Sequence, residues 1–370
     1  MVRAEAVVDR DAIRHNLDVV RAAVDGRPLM AVVKADAYGH GMVEVARIAR
    51  AHGVEWLGVA LPSEAVALRA AGDTGPILTW LWTPDDEDIP ACIDAGVDIS
   101  VSSLWALQEI VATAAQVTRT ARIQLKCDTG LSRNGVPWDE WIAMTTAARE
   151  AELAGAVTVT GIWSHLANAD APDHASVPAQ VAVLHDAVEV ARAEGLAPSI
   201  VHIANSAAAL RSPDCRLDLV RVGIAMYGVS PFDADGAALH GLRPAMTLHA
   251  RVALVKTVPA GASVSYGSTW TAEADTQVAL VPLGYADGIP RSASNRGSVV
   301  INGRRCPVLG RIAMDQFVVR VDGPVQAGDD VIVFGVEPTA DDWGQASDSI
   351  GYEIVTRIGP RIPRRYVGEP

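Results

Sequence analysis

The chain has 370 residues, 49% of them hydrophobic, which is enough for a sizeable core in two domains or in one large barrel with an appendage. Its formal net charge of -13 at pH 7 would repel phosphate backbones, which argues against nucleic acid as a partner. It has no unbroken run of 18 apolar residues, and charged residues occur within its first ten positions, so we expect a cytoplasmic protein without a membrane partner.

The first two thirds of the chain alternate short apolar runs with longer segments of helical spacing, a pattern typical of βα units around a parallel sheet. We count eight such runs, at 29–35, 55–60, 76–82, 97–102, 122–128, 158–165, 199–205 and 219–228. The stretches between them, such as SEAVALRAAG, are rich in alanine and end in glycines that suit helix C-caps. Eight such units predict a (β/α)8 barrel. An open doubly wound sheet is the alternative, but no GxGxxG follows the first run.

Residues 229–244 are rich in proline, glycine and aspartate and break the periodicity, so we predict a domain boundary there. This gives a barrel domain at 1–236 and a second domain at 237–370. The later runs are short and β-branched, namely TLHARVALVKTV, ASVSYGS, TQVALVPLGYA, GSVVINGRRCPVL, FVVRVDG and DDVIVFG. The Asn-Gly in VINGRR is a hairpin signal, and the second domain is predicted to be mostly β.

Polar side chains stand at the ends of several predicted barrel strands, where the active sites of such barrels form. They are Lys34 with Tyr38 after the first strand, Lys126, Asp128 and Arg133 after the fifth, His165 after the sixth, Asn205 and Ser206 after the seventh, and Arg221 within the eighth. Each has an ordinary structural explanation, such as a helix cap, a core histidine or a buried ion pair between Lys126 and Asp128. Their convergence on one rim favours a site.

The loops after the last two barrel strands often bind phosphate through backbone amides and hydroxyls. Ser206 offers a hydroxyl there, and Gly223 lets the backbone approach a ligand closely. A desolvated Lys34 could attack a carbonyl carbon, so the pocket suits a phosphorylated aldehyde such as pyridoxal phosphate. The four cysteines stand far apart without a CxxC or Cys/His cluster, so we expect neither a disulfide framework nor a metal site.

Eight motifs in this order resemble the alanine racemase family: AVVKADAYGHG, KCDTGLSRNG, GIWSHLANAD, HIANSAA, VRVGIAMYG, VSYGSTW, LGYADG and GRIAMDQFVV. The resemblance runs from about Ala6 to Arg364. It implies a barrel followed by a β domain, pyridoxal phosphate as cofactor, interconversion of L-alanine and D-alanine for peptidoglycan synthesis, and a homodimer whose two subunits share active sites.

The resemblance also implies roles for individual residues. Lys34 would bind the cofactor and act as one base, and Tyr266 from the partner subunit would act as the other. The remaining implied contacts are Tyr38, Ser206, Gly223 and Ile224 around the phosphate, Asn205 as a further cofactor-binding residue, His165 on the ring, Arg221 at the pyridine nitrogen, Arg133 with the backbone of Met314 at the substrate carboxylate, and Tyr285 in the access passage.

Two positions are less settled by the resemblance. Several relatives have a tyrosine near the C-terminus that touches the phosphate, whereas TRIGPRIPRR here has Gly359 and Pro360, so that contact is expected to come from elsewhere or to be absent. In some relatives the strand-five lysine is carbamylated; Lys126 occupies that place, with an unmodified Lys126 paired to Asp128 as the alternative.

Other functions remain open on sequence alone. They are a racemase of broader specificity or one that prefers serine, a decarboxylase of related architecture, a non-catalytic pyridoxal phosphate carrier, and a cofactor-free aldolase that uses a lysine.

Overall fold

A computed structural model describes residues 2–232 and 236–369. In this part of the chain the strands are β1 Ala4–Asp9, β2 Leu29–Val32, β3 Trp56–Val59, β4 Ile77–Thr79, β5 Asp98–Val101, β6 Ala121–Lys126, β7 Val157–Trp163, β8 Ile200–His202, β9 Val220–Val222, β10 Met246–Arg251, β11 Leu254–Val258, β12 Thr276–Val281, β13 Ser298–Ile301, β14 Arg304–Leu309, β15 Phe317–Arg320, β16 Asp330–Phe334 and β17 Arg364–Val367.

The helices of the same part are α1 Arg10–Ala23, α2 Lys34–Tyr38, α3 Met42–Ala51, α4 Pro62–Ala70, α5 Ile89–Asp94, α6 Leu104–Val117, α7 Trp141–Leu153, α8 Ser176–Ala193, α9 Ser206–Arg211, α10 Ala340–Ala346 and α11 Gly351–Thr356. None of the helices in the described ranges is long and apolar enough to span a membrane.

The chain forms two compact units. The barrel unit comprises Leu17–Ala35 and Met42–Ala225, and the β unit comprises the residues up to Asn16, Asp36–Gly41 and the residues from Met226 onward. In the barrel unit, the predicted parallel strands are confirmed as one sheet in the order β8-β7-β6-β5-β4-β3-β2-β9. The edge strands β8 and β9 are joined by hydrogen bonds from Asp218 N to Val201 O and from Arg221 N to Ala204 O, both 3.1 Å. The sheet is therefore a nearly closed barrel.

The barrel strands are buried on both faces. Because neither face contacts solvent, the sequences of these strands are nearly continuous apolar runs. Helices between them present one apolar face to the sheet. Neighbouring helices are also tied to each other, because Trp141 Nε1 of α7 donates a hydrogen bond of 2.8 Å to the Ala187 carbonyl of α8. This arrangement fixes the ends of the strands, where the predicted site residues lie.

The β unit contains a sheet of nine strands in the order β11-β12-β15-β14-β13-β16-β10-β1-β17. β1 pairs antiparallel with β10 and parallel with β17, so the N-terminal strand completes the sheet formed by the C-terminal part of the chain. The compact units therefore differ from the predicted domains, which placed residues 1–236 together. The predicted boundary segment 229–244 includes 233–235, which lie outside the described residues.

Local structure in the β unit agrees with most of the sequence signals. The hairpin predicted from VINGRR is confirmed between β13 and β14, where Asn302 and Gly303 have positive φ angles of 50° and 73°. The ASVSYGS run, in contrast, forms only a single bridge between Ser263 and Thr271 and then a short 3-10 turn at Tyr266–Ser268. Two short helices, α10 and α11, were also not predicted.

Candidate functional site

Lys34 follows β2 in the barrel unit and opens helix α2. The next four residues, at 35–38, have φ angles of 52–54°, so this turn is left-handed. The Nζ atom lies 5.9 Å from the centre of the Trp80 ring. Burial, followed by the positive charge of Arg133, lowers the pKa of Lys34, while Glu64 opposes the shift. Lys34 is therefore easier to deprotonate than an exposed lysine, and Trp80 is a neighbour that sequence reasoning missed.

Lys126 is the last residue of β6 and is only 4% exposed. Its Nζ atom lies 4.4 Å from the centre of the Trp163 ring. Burial and the charges of Arg221 and Arg133 lower the pKa of Lys126 to about 7. The Asp128 carboxylate accepts hydrogen bonds of 3.0 Å from the backbone amides of Gly130 and Ser132. The Asp128 carboxylate is thus bound by backbone amides of its own loop.

Arg221 of β9 is buried and surrounded by hydrogen-bond acceptors. Its Nη1 donates to Nδ1 of His202 at 2.8 Å, and its Nη2 lies 3.0 Å from Nδ1 of His165. Nη2 also donates to the backbone carbonyls of Ser164 and Ile203, at 2.9 and 3.0 Å. Burial lowers the pKa of Arg221 to about 9, which still leaves a cation at neutral pH. Burial, and next the Arg221 charge, hold the pKa of both His165 and His202 well below its usual range.

A chain of buried hydrogen bonds continues below His202. Its Nε2 lies 2.8 Å from Oε1 of Gln124, and Nε2 of Gln124 donates to Oδ2 of Asp98 at 3.0 Å. Arg122 Nε donates to the other oxygen of Asp98 at 2.6 Å. Arg221 can only donate and the Asp98 carboxylate can only accept, so the neutral His202 ring carries its hydrogen on Nε2. No sequence pattern predicts this series of hydrogen bonds, because His202, Gln124 and Asp98 lie on different strands.

The ends of β8 and β9 bring hydroxyl and amide groups together. The Ser206 hydroxyl accepts hydrogen bonds from the amides of Gly223 and Ala225, at 3.0 and 3.3 Å. Asn205 caps α9 by accepting a hydrogen bond of 3.1 Å from Ala208 N, as its ordinary structural explanation expects. Ile224 begins a buried 3-10 turn directly after Gly223. Hydroxyl and amide groups that can form hydrogen bonds are thus clustered at the barrel rim.

The barrel rim is cationic although the chain as a whole is acidic. The positive charge of Arg133 lowers the pKa of Lys34, and the charges of Arg221, Arg133 and Lys34 lower the pKa of Lys126. Clustered positive charge of this kind is stabilised by anionic ligands. The amine of Lys34 and the donors near Ser206 therefore fit a phosphorylated aldehyde, and the remaining cations fit a carboxylate.

Tyr38 belongs to the β unit. Its ring centre lies 4.9 Å from that of Tyr227 and 6.4 Å from that of Tyr352. Burial raises the pKa of Tyr38, so its hydroxyl stays neutral. Tyr352, in the C-terminal segment GYE, lies seven residues before Gly359 and beside Tyr38, a predicted phosphate ligand. It is a candidate for the contact that we expect from elsewhere because Gly359 and Pro360 offer no hydroxyl.

Tyr266, Tyr285 and Met314 also lie in the β unit, with exposed side chains. Tyr285 and Met314 are held together by backbone hydrogen bonds from Tyr285 N to Ala313 O and from Ala286 N to Met314 O, at 3.1 and 3.0 Å. Tyr266 stands at the start of the 3-10 turn and is 71% exposed. In the described ranges no group of three or more His, Cys, Asp or Glu side chains could hold a metal ion.

Comparisons with known proteins identify the family of the chain. Family models described as the N-terminal and C-terminal domains of alanine racemase match residues 8–231 and 245–366. The alanine racemase of Frankia casuarinae is 50% identical over 372 residues, covering 99% of this chain and 97% of its own. The crystal structure of alanine racemase from a D-cycloserine-producing Streptomyces lavendulae is similar at a TM-score of 0.98 and 51% identity, covering 100% of this chain and 98% of that one. The Streptomyces coelicolor alanine racemase structure has a TM-score of 0.97 at 50% identity, with 99% and 98% covered.

Proposed function

The chain belongs to the alanine racemase family, and from this premise we propose how its residues carry out the reaction. It is a pyridoxal phosphate-dependent racemase that interconverts L-alanine and D-alanine. The observation that best supports the residue assignments is the convergence of Lys34 and three further cations on one barrel rim.

The cofactor is held by the groups at the barrel rim. Lys34 would bind its aldehyde carbon, His165 would pack on its ring, and Arg221 would meet its pyridine nitrogen. Tyr38, Ser206, Gly223 and Ile224 would hold its phosphate, with Asn205 as a further cofactor-binding residue. When bound, pyridoxal phosphate supplies an electron-accepting ring that acidifies the α-hydrogen of the amino acid.

Arg221 controls the protonation of the pyridine nitrogen. A guanidinium has donors only, and its hydrogen bonds to two neutral imidazoles and two carbonyls keep it in one orientation. A pyridine nitrogen held against this guanidinium would have to act as an acceptor and stay unprotonated. This would reduce the ability of the ring to accept electrons and disfavour side reactions such as transamination.

Two bases on opposite faces of the substrate carry the proton. Lys34 Nζ is one, and its lowered pKa supports this role. Tyr266 of the partner subunit is the other, and its exposure in the protomer is consistent with delivery to a second chain. One base removes the α-proton, and the other returns a proton from the far side, which inverts the carbon. The protein is accordingly a homodimer in which residues 237–370 of each chain complete the other chain's site.

The substrate is held by its carboxylate. Arg133 and the backbone amide of Met314 bind this group, and Tyr285 lines the access passage. Lys126 carries a carbamate that orients Arg133, which its pKa of about 7 makes chemically accessible. The cytoplasmic location expected from the sequence belongs to the same proposal.

Reduction with borohydride tests the lysine assignment. The purified holoenzyme is expected to be yellow, to bleach on reduction, and to retain the cofactor mass on Lys34 in peptide mapping. The chain has three lysines, so Lys126→Arg and Lys256→Arg serve as controls that keep the label, while Lys34→Arg loses it. A label on Lys126 would overturn the assignment.

Substrate assays test the reaction class. Loss of optical rotation should be fastest with L-alanine, and no carbon dioxide should be released. Equal or faster racemisation of L-serine would instead favour the broader or serine-preferring racemase.

A further inference from the structure

The position of Tyr266 in the protomer depends on its backbone. Its side chain is 71% exposed and borders a cleft of about 390 Å³ whose walls include Val264, Ala313 and Gln316. Open space on one side and solvent on the other leave the phenol few packing partners. Within the protomer, the orientation of the Tyr266 side chain must therefore be set by the residues next to it in the sequence.

The backbone directly before Tyr266 is strained. Ser265 has φ 62° and ψ -172°, a conformation that is essentially confined to glycine. Gly267 and Ser268 also have positive φ angles, 73° and 47°. A residue with a Cβ atom persists in such a conformation only where its surroundings hold it there.

The contact that holds Ser265 comes from the segment that carries Met314. The Ser265 hydroxyl donates a hydrogen bond of 2.6 Å to the Arg311 carbonyl. Gly310, with φ 71°, approaches so closely that a Cβ atom there would overlap the Val264 carbonyl oxygen. A Cβ atom on Gly267 would lie 3.1 Å from the guanidinium of Arg311. The segment at 310–311 thus contacts both sides of Tyr266, through its backbone at Val264 and through the Arg311 side chain at Gly267.

A second set of hydrogen bonds ties both segments to residues 294–295. Asn295 accepts a bond of 2.6 Å from Gly310 N and donates one of 3.1 Å to the Thr269 hydroxyl. The Ser294 hydroxyl accepts a bond of 3.0 Å from Ile312 N. Asn295 therefore connects the segment that contains Tyr266 to the segment that contains Arg311. These hydrogen bonds restrict the movement of the two segments relative to each other.

We propose that Ser265 is a positioning residue, whose hydroxyl clamps the strained backbone before Tyr266 to Arg311 and so presents the phenol in one orientation, in fixed register with Met314. The proposal rests on the proposed function, in which Tyr266 and Met314 of one chain both serve the substrate bound by the partner chain. A displacement of about 1 Å in a reacting group can cost about 100-fold in rate, so a strained but stiff turn is useful there.

Two substitutions separate this role from a merely structural one. Ser265→Ala removes the hydroxyl but keeps the Cβ strain, whereas Ser265→Gly removes the hydroxyl and relieves the strain. We expect the glycine variant to melt about 2 °C above the alanine variant. We also expect kcat to fall about tenfold in both, with little change in KM, because both lose the clamp. Ser263→Ala is the matched control. Ser263 lies two residues before Ser265, and its exposed hydroxyl forms a hydrogen bond with the Thr271 hydroxyl, away from the clamp.

A direct view of Tyr266 comes from fluorine NMR of the cofactor-loaded dimer with 3-fluorotyrosine at its six tyrosine positions, assigned by Tyr266→Phe. The Tyr266 resonance should be single and narrow in the wild type and in Ser263→Ala, and broadened or split in both Ser265 variants. An unchanged resonance in both, or full kcat in Ser265→Gly, would overturn the positioning role. Undiminished racemisation by Tyr266→Phe would instead contradict the proposed function and leave the fluorine result standing.

Discussion

Two buried basic side chains at the barrel rim differ in charge for a simple reason. Arg221 is surrounded by four acceptors, and a guanidinium starts from a high pKa, so burial lowers it only to about 9. Lys126 lies over the Trp163 ring beside two arginines, and its pKa falls to about 7. At neutral pH, Arg221 stays a cation, whereas about half of Lys126 is a neutral, nucleophilic amine.

This charge state predicts a carbamate on Lys126. Its neutral Nζ attacks the carbon of CO₂ and releases a proton, which replaces a cation by an anion among Arg133 and Arg221 and relieves their repulsion. Protein equilibrated with ¹³C-bicarbonate should give one carbamate resonance. Because only about a tenth of the amine is neutral at pH 6, the resonance should weaken as the pH falls below about 7.

The three lysines provide the controls. The carbamate resonance should vanish in Lys126→Arg and survive in Lys256→Arg, whose side chain is exposed. A resonance that persists in Lys126→Arg, or none at all in the wild type at pH 8, would show that Lys126 is unmodified.

How much of the site was predictable depends on where each residue lies. Lys34, Lys126 and His165 follow apolar runs directly, so strand ends identify them. His202, Gln124 and Asp98 lie in strands, and their hydrogen bonds depend on the register of the four consecutive strands β5 to β8, which a single sequence does not specify. Tyr352 was missed because it lies four residues before the segment TRIGPRIPRR, in which the resemblance places the tyrosine.

At the scale of elements, α2 is the most unusual feature. Four successive non-glycine residues with φ angles of 52–54° cost roughly 1–2 kcal/mol each relative to a right-handed turn. The Glu64 carboxylate accepts hydrogen bonds from Ala35 N, Ala60 N and Leu61 N, at 2.6, 2.9 and 3.0 Å, and so holds the start of this turn. The strain lies directly beside Lys34, at the centre of the proposed site.

The left-handed turn predicts an unusual response to glycine. Ala35→Gly should leave stability unchanged or raise it by up to about 1 kcal/mol, because relief of the positive φ outweighs the greater freedom of glycine in the unfolded chain. Ala112→Gly, at an exposed position inside the ordinary helix α6, should lower stability by about 1 kcal/mol. Calorimetric melting of both variants checks this. Equal destabilisation by the two substitutions would contradict a left-handed α2.

Some elements were predicted from the sequence and others were not. The two groups differ in how far apart in the sequence the residues that define each element lie. The barrel strands are buried on both faces, so each produces a local apolar run. The alternating burial of β1 makes sense only through its pairing with β10 and β17, more than 200 residues away. The capping box of α10, from Thr339 to Asp342, is local but short, and it precedes only seven helical residues.

At the scale of the whole molecule, the proposed catalytic groups are divided between two compact units. Lys34, Arg133 and Arg221 belong to the barrel unit, and Tyr266 and Met314 to the β unit. Tyr266 and Met314 are exposed in the protomer at 71% and 53%, although both are proposed to touch substrate. A two-fold dimer reconciles these facts, because each chain then donates its exposed groups to the barrel rim of the other.

The dimer predicts that two inactive variants restore each other. Lys34→Ala can still donate its tyrosine, and Tyr266→Phe keeps its cofactor lysine, so a mixed dimer has one site without either base and one site with both. Random exchange between equal amounts makes about half of the dimers mixed, each with one working site of two, so racemisation should return to about a quarter of the wild-type rate. Each variant alone should show almost none. An affinity tag on one variant verifies that chains have exchanged; exchanged chains that recover no activity would mean that Lys34 and Tyr266 are not shared across the interface.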